Sequence, residues 1–199
     1  MIAGFYGKLP ARGDFVRAAL PRNFTDRWDA WLAAAIAGSR EAMGDDWLPA
    51  FLEAPVWRFA LPAGLCGERA ALGLMLPSVD RAGRYFPLTF AALFGPGAAP
   101  ADDPAWLDDC EAAGRAALEA DAGPEQLGAM LRAPDAMEAT AARMETAMMQ
   151  SIWWTDGAPR VPATRCVLSG LPDASVYATM IGATVPQAPT GGTSWEPPS

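Results

Sequence analysis

The chain has 199 residues, enough for one domain with a substantial core, and it is acidic: 15 Lys plus Arg against 23 Asp plus Glu give a net charge of -8 and a pI near 4.5. That balance disfavours general nucleic-acid binding and adsorption to an anionic membrane, both of which need positive surface. Histidine is missing altogether, which excludes Ser-His-Asp and Cys-His nucleophiles, HExxH zinc sites and imidazole acid-base catalysis.

Ile2 to Leu9 is a short apolar run cut by Gly4 and Gly7 and closed by Pro10, which reads as a strand with close backbone approach. A loop, Pro10 to Asp14, follows. Asn23 is placed to cap a helix whose apolar stripe is Phe24, Trp28, Trp31, Leu32, Ala35 and Ile36, running to Met43 and stopped by Gly44. A short helical piece spans Asp46 to Glu53. Val56 to Leu61 alternates Trp57, Phe59 and Leu61 with Val56, Arg58 and Ala60, the pattern of a strand between two prolines.

Ala71 to Phe94 holds two apolar runs joined by Ser78-Val79-Asp80-Arg81-Ala82-Gly83-Arg84. So short a link joins antiparallel neighbours and cannot make a parallel crossover, so this hairpin is the predicted centre of a sheet. On its second run Phe86, Leu88, Phe90 and Ala92 share one face and Tyr85, Pro87, Thr89 and Ala91 the other. Both faces are largely apolar, which calls for cover on both sides.

After the Gly/Pro/Ala-rich link Gly95 to Ala101, Asp103 and Pro104 supply an N-cap and a first-turn proline for a helix with Leu107, Cys110, Gly114, Ala117 and Leu118 inward. Helices are also expected over Pro124 to Arg132 and Asp135 to Met149. The second carries a stripe of Met137, Ala141, Met144 and Met148 that suits ordinary core or an adaptable partner groove. Strands at Ser151 to Thr155 and Thr164 to Ser169, and a helix capped by Asp173, complete the ordered part. The Pro/Gly/Thr/Ser-rich stretch 183–199 reads as a disordered tail beyond a single domain over 1–182. A sheet with antiparallel pairings, covered by helices on both faces, fits this order of elements.

The motifs that suggest chemistry are incomplete. Gly4-Phe5-Tyr6-Gly7-Lys8 has two residues between its glycines and Leu9 after its lysine, whereas a phosphate loop needs four and then Ser or Thr. Arg12-Gly13-Asp14 suits a local turn in which Asp14 accepts backbone hydrogen bonds. Asp14, Glu68 and Asp80 could form a carboxylate pair or a magnesium site, but a structural ion pair of Asp80 with the arginines beside it is favoured. Cys66, Cys110 and Cys166 are widely spaced and odd in number, which suits buried reduced thiols. No apolar run approaches the ~20 residues of a membrane span. The first residues lack a signal-peptide pattern, so the expected location is the cytoplasm. Trp153 and Trp154 fall on opposite faces of their strand, each suited to core or, for one of them, to a partner contact.

Three stretches together resemble the TagF (ImpM) family of type VI secretion system accessory proteins. They are Gly4 to Pro10 with Gly13-Asp14-Phe15, Pro77 to Thr89, and Ser151 to Thr155. The resemblance implies a three-layer α-β-α sandwich with a mixed, largely antiparallel central sheet. It also implies a cytoplasmic, non-enzymatic regulator that represses secretion by binding the forkhead-associated scaffold protein of the apparatus, with no cofactor and no metal. A fused phosphatase domain known in some members has no counterpart here. The motif positions Lys8, Arg12, Asp14, Ser78, Asp80, Arg81, Arg84 and Trp154 become candidate partner contacts. The alternatives are a small carboxylate-dependent or magnesium-dependent enzyme using Asp14 and Asp80, or a structural subunit of the secretion machine.

Overall fold

The two apolar runs of the hairpin form the middle of a seven-stranded sheet. In the computed structural model, which describes residues 1–95, 97–98, 100, 103–131 and 149–183, the strands are β1 (Ile2–Gly7), β2 (Val16–Ala18), β3 (Trp57–Leu61), β4 (Ala71–Leu76), β5 (Leu88–Leu93), β6 (Gln150–Thr155) and β7 (Thr164–Ser169). Their spatial order is β2-β1-β5-β4-β3-β6-β7, with β4 at the centre. Every neighbouring pair is antiparallel, so the sheet is more uniform than the mixed one expected. The helices are α1 (Arg22–Met43), α2 (Trp47–Leu52), α3 (Pro104–Glu119), α4 (Pro124–Met130) and α5 (Ala174–Met180).

Each face of the sheet buries its own core, as two-sided apolar strands require. On one side Trp57, Phe59, Ala91 and Trp153 meet Trp28 and Leu32 of α1, Trp47 and Phe51 of α2, and Tyr177 of α5. On the other, Leu72, Leu74, Leu88 and Phe90 meet Leu107, Cys110 and Ala117 of α3 and Leu127 of α4. The fold is thus an α-β-α sandwich. The close packing depends on small residues: a side chain at Gly114 of α3 would come within 2.9 Å of the Phe90 ring, and one at Gly38 of α1 within 2.5 Å of Ala174 Cβ on α5.

Most local signals operate as expected. Asp103 accepts from the Trp106 N–H at 3.0 Å, and Asp173 accepts from Ser175 and Val176 at 2.9 Å each. Gly44, at φ +54, ends α1 and donates to the Arg40 carbonyl. Three details differ. Asn23 does not cap α1: Pro21 holds the N-cap position in an extended conformation, its carbonyl accepting from Phe24 and Thr25 at 3.1 Å each, and Asn23 lies exposed in the first turn. Phe86 does not share a face with Leu88, because β5 begins only at Leu88 and the chain before it is off the strand register, so Phe86 packs with the α1 core. β2 has no expectation behind it, being three residues long; the anticipated helix over Asp135 to Met149, its methionine stripe and the tail lie outside the described residues save for Met149 and Ala183.

All three cysteines are free and buried. Burial pushes the Cys66 thiol up to about 12 against the pull of Arg27, Cys110 to about 12 with Asp109 and Asp103 adding to it, and Cys166 to about 11. The folded protein at pH 8 is therefore expected to react with a thiol-disulfide reagent at roughly a tenth or less of the rate of the unfolded chain. Three thiols titrating at the unfolded rate without denaturant would contradict this packing.

Candidate partner-binding site

The two motif loops meet at one end of the sheet. β1 pairs with β5, which sets the end of β1 beside the loop that leads into β5. Gly7, at φ +147, runs so close to Pro87 that a side chain would come within 2.2 Å of its carbonyl oxygen. The close approach read from the glycines of β1 is therefore real, and it delivers Lys8 against the hairpin loop. That loop is closed locally by the Gly83 N–H on the Asp80 carbonyl at 2.9 Å, with Gly83 at φ +77, where glycine is favoured.

Lys8 is the single lysine of the chain. Its Nζ donates to Asp80 Oδ2 at 2.6 Å, with side-chain exposures of 6% for Lys8 and 0% for Asp80. The same oxygen accepts from Arg84 Nε at 2.7 Å, while Oδ1 accepts the backbone N–H groups of Ala82 and Arg84 at 2.9 Å each. Burial by itself would raise the Asp80 carboxyl. The Lys8 hydrogen bond, the two backbone donors and Arg84 outweigh it and hold the group well below the usual carboxylate range. Ser78 Oγ donates to the Lys8 carbonyl at 2.6 Å, the Arg81 N–H donates to the Arg12 carbonyl at 2.9 Å, and Arg84 Nη2 donates to the Gly13 carbonyl. The two loops are one unit.

Phe15 covers the buried pair. Its ring stacks on Tyr6 at 5.3 Å, meets Phe86 edge-on at 4.8 Å and lies 5.0 Å from Lys8 Nζ, yet it remains 45% exposed. Tyr6 in turn donates to Asp29 Oδ1 on α1 at 2.7 Å. Burial, then that hydrogen bond to a carboxylate, raises the Tyr6 hydroxyl above its ordinary value.

The expected contact residues therefore divide by exposure. Lys8, Ser78 and Asp80 are buried and hold the loops together; Arg12, Asp14, Arg81 and Arg84 stand on the surface of the joined unit. Asp80 does take the structural ion pair favoured for it, with Lys8 as a partner 72 positions away in addition to Arg84. Its four hydrogen bonds leave no open acceptor position for a magnesium ion. Asp14 accepts no hydrogen bond among the described residues, so the turn expected to rest on it lacks that support; the closed turn is the one just before, Leu9 to Arg12, through the Arg12 N–H on the Leu9 carbonyl at 3.0 Å. Glu68 lies in the link between β3 and β4, at the other end of the sheet.

Trp154 is not part of this unit. It sits on β6, four strand positions from β1, roughly 19 Å at ordinary strand spacing. The adjacent indoles do take opposite faces: Trp153 is fully buried in the α1 core, and Trp154 packs, half-buried, on the α3 side with Arg165 5.8 Å from its ring. Opposite Trp154 in register is Arg58, which binds Asp108 and Glu111 of α3 and Asp156. Reading the sequence missed Arg17, which joins the surface of the loop unit from β2; a three-residue strand carries too little periodicity to find it.

The TagF N-terminal domain, described as type VI secretion system-associated, matches residues 4–133 and so includes both loops. A solved structure, that of PA0076 from Pseudomonas aeruginosa PAO1, is similar at 34% identity with a TM-score of 0.78, over 96% of this chain and 100% of that one. No curated protein matches. With the matched model covering more than half of its length, this chain belongs to the TagF family of type VI secretion system-associated proteins.

Proposed function

We propose that this protein is a cytoplasmic, non-enzymatic regulator that represses type VI secretion by binding the forkhead-associated scaffold protein of the apparatus. Family membership supplies the system. The observation that carries a binding role is the loop unit itself: a buried Lys8–Asp80 pair fixes two distant loops together, and the fixed unit displays Arg12, Arg81 and Arg84 to solvent. Preorganised arginines beside a partly exposed aromatic ring are the residue types that dominate protein interfaces. Asp80, one of the two carboxylates on which the enzymatic alternative rests, holds the loops together. Among the described residues no helix is long and apolar enough to cross a membrane.

The test has two arms. The full chain and the purified scaffold are expected to co-elute in gel filtration, and deletion of the gene is expected to raise secretion of a reporter effector into the medium. A scaffold that elutes alone at micromolar concentrations, or secretion unchanged on deletion, would overturn the reading. Co-sedimentation with the assembled sheath would assign the protein to the structural part of the machine instead.

A further inference from the structure

Arg12, Arg17 and Arg81 surround an open cleft of about 470 Å³ between the loop after β1, the hairpin loop and Pro124 at the start of α4. All three are exposed, and none of their side chains makes a hydrogen bond or ion pair among the described residues. Several other arginines are held by the chain's own carboxylates, Arg58 by Asp108, Glu111 and Asp156, Arg115 by Glu111 and Arg160 by Asp46 and Glu53, while Arg27 and Arg69 donate to carbonyls and Arg40 and Arg165 lie over tryptophan rings. In a chain of net charge -8, with carboxylates in excess, three arginines left uncompensated around one cleft form a local positive field against the overall sign. Asp14 is the one carboxylate that lines it, and Phe15, 45% exposed, adds an apolar wall.

From this we infer that the cleft receives an extended, acidic segment of a protein partner, rich in Asp and Glu, with an apolar side chain against Phe15. The inference rests on the reading of the loop unit as a partner-binding surface and names what that surface takes. The exposure of the charge favours carboxylates over a phosphate. The arginines come from two stretches, 12–17 and the hairpin loop, and are all exposed, and Lys8, the one buried cation at hand, is committed to Asp80. Exposed, flexible arginines suit several single charges along a chain, whereas a phosphate dianion is best held by fixed donors that converge on one point. The matching charges would raise the association rate and make it sensitive to salt.

The probe is a fluorescein-labelled octapeptide of Glu and Asp with one central Leu, titrated with the full chain by fluorescence anisotropy. Its controls are the same peptide with Lys for each acid, and a neutral Gly/Ser peptide holding one phosphothreonine. Binding of the acidic peptide is expected to weaken about tenfold or more in the Arg12→Glu/Arg81→Glu variant, and by a similar factor between low and high salt. Both side chains are exposed, so the variant is expected to melt like the parent, and thermal unfolding checks this. No binding of the acidic peptide at millimolar protein, equal binding by the variant, or tighter binding of the phosphothreonine peptide would each overturn the inference. The scaffold separates the two readings. If it binds parent and variant equally, the inference falls and the proposed function stands; if the acidic peptide binds in a charge-dependent way and the scaffold does not bind, the reverse holds.

Discussion

Replacing Lys8 with Met is expected to lower the melting temperature by roughly 6–20 °C, the range for breaking one partner of a buried ion pair in a chain of this size. Lys8 has 6% of its side chain exposed and Asp80 none, so losing the ammonium leaves a buried carboxylate with Arg84 and two backbone donors. Adding Asp80→Asn to Lys8→Met removes the uncompensated charge and is expected to recover part of the loss, which a double-mutant cycle measures. A Lys8→Met protein melting within about 2 °C of the parent would show that the pair does not hold the loops.

The pH dependence of this pair has a definite sign. The Asp80 carboxyl is depressed in the folded protein, with burial opposing and the Lys8, backbone and Arg84 hydrogen bonds prevailing. A depressed native value means that the stabilisation is complete above the unfolded value of about 4 and is lost as pH falls through the native one. The stability advantage of the parent over Asp80→Asn, measured by urea unfolding, is therefore expected to be constant from pH 7 to pH 5 and to shrink below about pH 4. An advantage that grew on acidification would mean that the carboxyl is not stabilised in its charged form.

The second large effect is expected at Trp28, where Trp28→Ala should cost about 3–5 kcal/mol. Trp28 has no exposed surface and joins α1 to the sheet through rings on both: its centroid lies 5.7 Å from Phe24, 4.6 Å from Trp31, 4.7 Å from Phe59 and 6.2 Å from Trp153. Its indole N–H donates to the Thr89 hydroxyl at 2.9 Å, and Thr89 is itself fully buried on β5. Thr89→Val keeps the volume but strands that donor, a change expected to cost about 1–3 kcal/mol. Urea unfolding measures both. A loss below about 1 kcal/mol for Trp28→Ala would mean that the neighbouring rings close over the space.

The sequence alone determined what depends on neighbours a few positions apart. The stripe from Phe24 to Ile36, the alternation of Val56 to Leu61, the caps at Asp103 and Asp173 and the stop at Gly44 are all written in local spacing, because helix and strand periods and capping hydrogen bonds act within one or two turns. The two-sided apolar runs of the hairpin likewise require a sheet covered on both faces. Where two local signals competed, as at Pro21 and Asn23, or where a strand was as short as β2, local spacing did not decide. Only the tertiary structure decided which loops meet. Lys8 and Asp80 are 72 positions apart, and nothing in either segment specifies the other. They meet because β1 inserts beside β5, a choice of strand order governed by how the whole sheet closes its hydrogen bonds and buries both faces. The same choice buried Lys8, Ser78 and Asp80 as internal supports and left Arg12, Arg17 and Arg81 exposed around one cleft.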